Sequence, residues 1–271
     1  QMVALAGDSV GAGNSNGVAR QGNVTVDLVT APSVAADSVL DVNALYQGLV
    51  RVDDAQTVVG SMQELLDVSG DTVASGVDLR DDVVFEFDDT QVGGSAVQAH
   101  ELLMLNDRTT GVVDATDADT LMGLLSDVQA VLLADSIGSG TNRIDIVAAS
   151  IDVVVTNMGS LRADSLNDLD AYFVGGTIEV LASTVAGSML ELLEASDDYA
   201  EDSSGDGPGA MVLKSNVVMA LEGDSVRAVD LSTLSGRTTG VVDATAANTI
   251  EGSVAQMVAL AGDSVGAGNS N

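Results

Sequence analysis

The chain has 271 residues and a net charge of −32, because 41 acidic residues stand against only 9 basic ones. This charge argues against nucleic acid and anionic membranes as partners, since like charges repel. No run of about 18 apolar residues is present, so membrane insertion is not expected either. The apolar fraction of 46% excludes a disordered chain and predicts a core of Val, Leu, Ala and Ile. Cysteine is absent, so neither disulfides nor Cys-ligated metals are expected.

The sequence repeats itself at two levels. Residues 256–271 are identical to residues 1–16, which is a recurrence after 255 residues. A Thr-x-x-Gly tetrapeptide divides this period at spacings of 63, 64 and 65 residues, beginning at Thr57, Thr120, Thr184 and Thr249. Four degenerate units per period are therefore predicted. We expect residues 1–271 to be a single continuous array, either a window on a longer tandem repeat or one protomer of a filament.

Each unit is predicted to contain two strand-then-helix pairs. The strands are runs rich in β-branched residues, and the helices show apolar residues at helical spacing. In chain order the strands are predicted at 24–29, 48–52, 83–87, 111–114, 151–156, 176–180, 217–221 and 240–243. The helices are predicted at 34–45, from Met62, at 96–105, from Leu124, at 161–172, from Met189, at 226–234 and from Val254.

Three local features refine these elements. The Thr of the tetrapeptide or the Ser that follows it is predicted to cap the next helix, and its Gly to let backbones approach closely. One face of the helix from Leu124 is predicted to be apolar, and Met189, Leu190 and Leu193 are expected to form the equivalent face in the next unit. A further β-like segment precedes four of the strands, and in three units it carries a basic residue, namely Arg20, Arg80 and Lys214.

Strands that alternate with helices predict right-handed crossovers and parallel sheets, hence an α/β fold. We expect a right-handed α/β solenoid of four βαβα units of about 64 residues each, because a sequence that runs into its own copy needs units that stack on their neighbours. A closed (β/α)8-like barrel is the alternative, since eight strand–helix pairs within one period also match that fold.

Two phrases carry a resemblance to a known class of repeat: RTTGVVDATAANTIEGSVAQMVALAG and SVAADSVLDVNALYQG. They resemble the degenerate tandem repeats, of the TTGxVDAxxxxTLxG type, of very large secreted surface proteins of cyanobacteria and other marine bacteria. The resemblance implies a repeat-built protein at the cell surface or outside the cell. It implies no catalytic residue.

Residues 7–11, repeated at 262–266, read Gly-Asp-Ser-Val-Gly and satisfy the G-x-S-x-G pattern of a hydrolase nucleophile. That chemistry needs the serine on a turn after a strand and a histidine to accept its proton. Here the pentapeptide follows a predicted helix, and the only histidine, His100, lies within another. We therefore interpret the pentapeptide as a helix-terminating turn and expect no enzyme.

The most acidic loop contains Asp202-x-Ser204-x-Asp206-Gly, the spacing of the first half of an EF-hand calcium loop. Its twelfth position is Leu213, where a bidentate Glu belongs, so a full EF-hand is excluded. The missing carboxylate is available from one of three nearby residues: Asp197, Asp198 and Glu201. Calcium is thus the candidate cofactor, and a solvated acidic loop is the alternative.

The sequence as a whole predicts a structural component of an extracellular filament, sheath or surface layer. The expected partners are copies of the chain itself and divalent cations, the latter because so few Lys and Arg offset the acidic charge. A surface adhesin that recognises a glycan or a protein is the alternative function.

Overall fold

The computed structural model of the chain describes residues 25–28, 32–46, 48–70, 76–88, 96–136, 143–146, 151–172, 176–197 and 210–263. Within these ranges, short parallel strands alternate with helices, which confirms the predicted α/β class. The sheets are open, each with two end strands, and no closed barrel is found among the described residues. None of the helices in the same ranges is long and apolar enough to cross a bilayer.

The described ranges contain 19 strands and eight helices. The strands are β1 Val26–Asp27, β2 Ser33–Ala35, β3 Val50–Arg51, β4 Thr57–Gly60, β5 Val77–Asp78, β6 Val84–Phe87, β7 Ala96–Gln98, β8 Val112–Asp114, β9 Thr120–Gly123, β10 Arg143–Asp145, β11 Asp152–Val155, β12 Ser160–Arg162, β13 Thr177–Val180, β14 Thr184–Gly187, β15 Ala210–Leu213, β16 Val218–Leu221, β17 Ser225–Arg227, β18 Val242–Asp243 and β19 Thr249–Glu251. The helices are α1 Ala36–Leu45, α2 Met62–Gly70, α3 Ala99–Asn106, α4 Leu125–Ser136, α5 Ala163–Tyr172, α6 Met189–Asp197, α7 Ala228–Gly236 and α8 Val254–Asp263.

Each helix ends a module, which we define as a group of consecutive strands together with the helix that follows them. The modules that end in α3, α5 and α7 contain three strands each. The modules that end in α2, α4, α6 and α8 contain two, and two strands are described before α1. Modules of three and of two strands therefore alternate along the described chain.

The chain divides into two compact units, residues 1–119 with 130–147 and residues 120–129 with 148–271. In the first unit, one sheet has the strand order β10-β8-β6-β4-β2 and another the order β1-β3-β5. In the second unit, β15-β13-β11-β9, β12-β14-β16-β18 and β17-β19 are neighbours in those orders. In these sheets each strand thus pairs only with strands of neighbouring modules, never with a strand of its own module.

The core is built from rows of apolar side chains that face inward at matched positions of neighbouring strands. In the first unit the row Val58, Phe85, Val113 and Ile144 is fully buried. In the second unit the row Leu121, Val153, Ile178 and Met211 is buried in the same way. Burial of one such side chain stabilises the fold by roughly 1.5–3 kcal/mol, so these rows hold successive modules together.

The predicted elements are largely found, and the main correction is that strands outnumber the prediction. The Thr-x-x-Gly tetrapeptides form strands β4, β9, β14 and β19, so the prediction that their Thr caps a helix is wrong. The first residues of the helices predicted at 34–45, 96–105, 161–172 and 226–234 instead form strands β2, β7, β12 and β17. These strands have only three or four residues, too few for an alternating pattern to distinguish them from a helical one.

Two predicted helix faces also need correction. Leu124 precedes α4 and is 48% exposed, whereas Leu125 and Val128 are buried as predicted. In α6, Leu190 is 75% exposed and the helix buries Leu192 instead. With apolar residues at four consecutive or near-consecutive positions, the sequence of α6 does not specify which of two adjacent faces turns inward.

Candidate functional site

The predicted calcium ligands Asp198, Glu201, Asp202, Ser204 and Asp206 lie outside the described residues. Asp197 is the last residue of α6, and its side chain is likewise not described. Among the residues that are described, no group of three or more His, Asp or Glu side chains is placed to hold a metal ion. The calcium site stays a prediction.

The serine motif is only partly described. Residues 7–11 lie outside the described ranges, and of the second copy only Gly262 and Asp263 are described, at the end of α8. His100 is the second residue of α3, as the predicted helix required, and its side chain is exposed. The described residues therefore place no serine of this motif next to the histidine.

The repeated Arg-Thr-Thr-Gly motif connects modules that are distant in sequence. Arg108 Nη1 donates hydrogen bonds to the Leu66 carbonyl oxygen at 2.7 Å and to Ser69 Oγ at 2.9 Å, near the C-terminus of α2. Arg237 makes the equivalent two contacts near the C-terminus of α6. A guanidinium there interacts favourably with the negative end of the helix dipole. The arginine of the motif thus stabilises the end of a helix in an earlier module.

The threonine and glycine of the same motif fix the chain against the preceding strand. Thr109 Oγ1 donates to the Val83 carbonyl oxygen and accepts from the Gly111 amide at 2.8 Å. A Cβ atom at Gly111 would lie 2.3 Å from the Val83 oxygen, so only glycine fits. Gly240 in the second copy meets the same restriction, at 2.2 Å from the Val217 oxygen. The motif is a structural joint in both units.

The Asp-x-Thr that follows the motif forms a compact turn in both copies. Thr245 donates its amide and its hydroxyl to Asp243 Oδ1, at 3.0 and 2.7 Å. These two hydrogen bonds favour the charged carboxylate and lower the pKa of Asp243. Asp114 and Thr116 make the same turn. These carboxylates are therefore engaged in a local turn.

In three of the four copies, a Gly-Ser step ends the tetrapeptide and begins the next helix with a capping box. The Ser61 amide donates to Glu64 Oε2 at 2.9 Å, and the Glu64 amide donates to Ser61 Oγ at 3.4 Å. Ser188 with Glu191 and Ser253 with Gln256 repeat the arrangement. The prediction of a Ser cap is thus confirmed at three of the four copies. In the remaining copy, the Leu125 amide donates to Asn157 Oδ1 from the following module at 2.8 Å.

The glycine before that serine allows the close approach that the sequence predicted. A Cβ atom at Gly60 would lie 2.9 Å from the Cβ of Ala36, the first residue of the helix in the preceding module. A Cβ atom at Gly187 would likewise lie 2.9 Å from the Cβ of Ala163, and one at Gly252 would lie 2.9 Å from the Cβ of Ala228. The pairing of Gly with Ala lets a strand end pack on the start of a neighbouring helix.

A small acidic recess lies beside this contact in the first unit. Its volume is about 140 Å³, and its lining comprises Ala35, Asp37, Val59, Gly60, Ser61, Glu64 and Asp88. In the second unit, Arg162 occupies the position equivalent to Ala35 and donates to Asp164 at 3.2 Å and to Glu222 at 3.0 Å. A guanidinium thus bridges the two carboxylates in one unit, and an alanine leaves the recess open in the other.

The clearest unassigned surface is at the last described module. Ile250 of β19 is 40% exposed, whereas the equivalent Val58 of β4 is fully buried. Val254 of α8 is 81% exposed, whereas the equivalent Met62 of α2 is buried. We call Ile250, Val254 and Val258 the β19–α8 surface. Residues of core type lie exposed there because no described module covers them.

Comparison of the sequence and of the fold with protein-family models, with curated proteins and with solved structures found no match. The β19–α8 surface was not predicted as a site, since its residues belong to strand and helix patterns that the sequence assigns to the core. The available signal was the recurrence of residues 1–16 at 256–271, from which copies of the chain were expected as partners.

Proposed function

We propose that the chain is a structural component of an extracellular filament, sheath or surface layer, built as a right-handed α/β solenoid of four units in each 255-residue period, each unit comprising one two-strand and one three-strand module. In this role the repeated modules supply length and surface, and the chain is not an enzyme. The residues that recur at fixed spacing serve to join modules, and this observation carries the proposal.

The support comes from what each recurring motif contacts. Arg108 reaches a helix of an earlier module, and Thr109 binds a carbonyl oxygen of the preceding strand region. Gly60 packs on the first residue of the helix in the module before it. A repeat whose recurring side chains bind the adjacent repeat is the pattern of a stacked array, in which stability is a sum of nearest-neighbour contacts.

The extracellular assignment rests on the resemblance to tandem repeats of secreted surface proteins and agrees with the absence of cysteine. Calcium is part of the proposal, because a net charge of −32 requires an offset that 9 Lys and Arg do not supply. The loop with Asp202, Ser204 and Asp206 is the proposed position of the ion.

Electron microscopy of the purified chain, with and without calcium, tests this function. We expect fibres or sheets with an axial repeat, because each stacked copy adds the same length. A monodisperse globule that hydrolyses esters or peptides would contradict it and would bring the serine motif back into consideration.

A further inference from the structure

Two sheets of the described chain are short, and each has an open edge. The sheet β1-β3-β5 of the first unit ends at β1, and the sheet β17-β19 of the second unit ends at β19. An open strand edge presents backbone N–H and C=O groups that can pair with another strand. At β19 this edge adjoins the exposed Ile250, so the open edge and an apolar surface coincide.

The sheet β10-β8-β6-β4-β2 shows what a complete sheet of this protein contains. It takes one strand from each of five consecutive modules, beginning with β2, the last strand before α1, and β4, the tetrapeptide strand before α2. Strands β6, β8 and β10 of the next three modules follow. All five strands of this sheet lie within the first unit.

The two short sheets correspond to the two parts of that order. Strands β17 and β19 match β2 and β4, because β17 directly precedes a helix and β19 is a tetrapeptide strand. Strands β1, β3 and β5 match β6, β8 and β10. Strand β3, like β8, follows a glycine, and each of these two strands pairs with the strand before it and the strand after it in the set. Two strands and three strands together complete the five.

We propose that β19 of one copy pairs in parallel with β1 of a second copy of this chain, which completes a five-stranded sheet β17-β19-β1-β3-β5 across the junction. This inference rests on the proposed structural function and specifies its contact. The contact is heterologous, since it joins two different edges, and it therefore propagates without closing.

The register of the junction follows from the interior pairs. Phe85 lies opposite Val58, and Met219 lies opposite Val185. Val26 is equivalent to Phe85 for the following reason. Val26 lies opposite Val50 and Phe85 lies opposite Val113, and each of these two valines stands two residues after a glycine. Val26 of the second copy therefore lies opposite Ile250, and Asp27 lies opposite Glu251.

The junction covers the β19–α8 surface. Within the units, α2 packs against α3 and α6 packs against α7, so each two-strand module contacts the helix of the next module. By the same relation α8 contacts α1 of the second copy, where Leu45 is exposed. Val254 and Val258 are then shielded from water, which removes the exposure that distinguishes α8 from α2.

The sequence recurrence independently supports the same neighbour. Because residues 256–271 repeat residues 1–16, a second copy whose residues 1–16 are superposed on residues 256–271 has Val26 32 positions after Thr249. The equivalent distance within the chain, from Thr120 to Val153, is 33 residues. The interval from β19 to β1 of the second copy thus nearly equals the interval from the tetrapeptide strand β9 to its partner β11.

Charged residues meet at the junction. In strand register, Arg227 lies opposite Glu251 on one side, and Arg51 lies opposite Asp27 on the other. Across the junction, Glu251 of one copy therefore lies next to Asp27 of the other. Arg227 flanks Glu251, and Arg51 flanks Asp27. The equivalent interior positions hold at most one acid, as in Val59 opposite Glu86. In the interior of the same row, one strand further along, Glu86 also lies opposite Asp114, so salt screens repulsion between neighbouring carboxylates in both places.

Disulfide trapping between separate copies of residues 1–271 tests the proposal, and the absence of cysteine from this sequence gives a clean background. Two variants, Asp27→Cys and Glu251→Cys, are prepared separately, mixed and oxidised. Neighbouring strands lie about 4.8 Å apart, within the range of Cα separations that a disulfide spans. We expect the mixture to form a covalent dimer of twice the 27.3 kDa chain mass, and each variant alone to form far less.

The matched control replaces Glu251→Cys by Asp67→Cys, an exposed position on α2 that belongs to neither edge strand. Equal dimer yields from both mixtures would overturn the proposal. So would a double variant, Asp27→Cys with Glu251→Cys, that closes its disulfide only within one chain. Fibres in electron microscopy without the Asp27–Glu251 disulfide would refute this junction and leave the structural function intact, whereas a chain that never associates would refute both.

Discussion

Gly111 has no room for a side chain, because a Cβ atom there would lie 2.3 Å from the Val83 carbonyl oxygen. We predict that Gly111→Ala lowers the free energy of unfolding by about 1–3 kcal/mol, the usual cost of forcing atoms into a packed region. The clash is with backbone, so a side-chain rotation cannot relieve it. Urea denaturation followed by circular dichroism measures the change.

Gly159→Ala is the control for this substitution. A Cβ atom at Gly159 would meet nothing within 4 Å, so we expect a change within about 0.5 kcal/mol. If the two alanine variants unfold at the same urea concentration, the close contact between Gly111 and Val83 does not contribute to stability.

Single residues show where the sequence was informative and where it was not. The capping role of Ser61 was predictable because Ser followed three residues later by Glu is a local signal. The contact of Arg108 with the Leu66 carbonyl joins residues 42 positions apart, and nothing local to Arg108 identifies its partner. The repetition of Arg-Thr-Thr-Gly indicated that the motif is structurally important without indicating what it contacts.

At the scale of the element, the helix caps are the most testable contacts. Ser188 and Glu191 exchange two hydrogen bonds at the start of α6. We predict that Ser188→Ala destabilises the protein by about 0.5–2 kcal/mol, because the Glu191 amide loses its partner. Thermal unfolding and amide hydrogen exchange at the first turn of α6 measure the effect.

The control at this scale is Ser126→Ala, near the start of α4. Ser126 is exposed and donates only to the adjacent Asp127, so its loss is expected to be neutral or slightly stabilising, since alanine is the better helix former. Faster hydrogen exchange in both variants alike would mean that the capping box is not the source of the effect.

The elements also show how far periodicity predicts this fold. Strands β6, β11 and β16 and the helices α2 and α4 were predictable, because each has a run of β-branched residues or several apolar residues at helical spacing. The three-residue strands before α1, α3, α5 and α7 were not predictable. They are defined by pairing with a neighbouring module, and pairing is a non-local property. The calcium loop cannot be compared in the same way, since it lies outside the described residues.

At the scale of the whole molecule, the feature to test is the large acidic charge. Neighbouring modules carry like charges within the Debye length of about 8 Å at physiological salt, and the net charge is −32. We predict that removing calcium with a chelator at fixed ionic strength lowers the Tm, by about 2–4 °C for each kcal/mol of lost binding free energy. Differential scanning calorimetry of the full chain measures this shift.

A substitution separates specific binding from general screening. Asp206→Asn removes one predicted ligand and is expected to reproduce part of the loss caused by the chelator. If the Tm follows total ionic strength and ignores the chelator, screening by salt replaces calcium as the offset to the acidic charge.

The alternation of three-strand and two-strand modules restricts how such a chain can change its length during evolution. Removal of residues 120–183 joins Asp119 directly to Thr184, the start of the next tetrapeptide strand. The deletion removes five strands and two helices, as many as one three-strand and one two-strand module contain together. We expect this shortened chain to melt cooperatively. Removal of β8, β9 and α4 alone would place two three-strand modules in succession and leave strands without matched neighbours. Gene duplications and deletions that survive in this repeat should therefore come in steps of two modules.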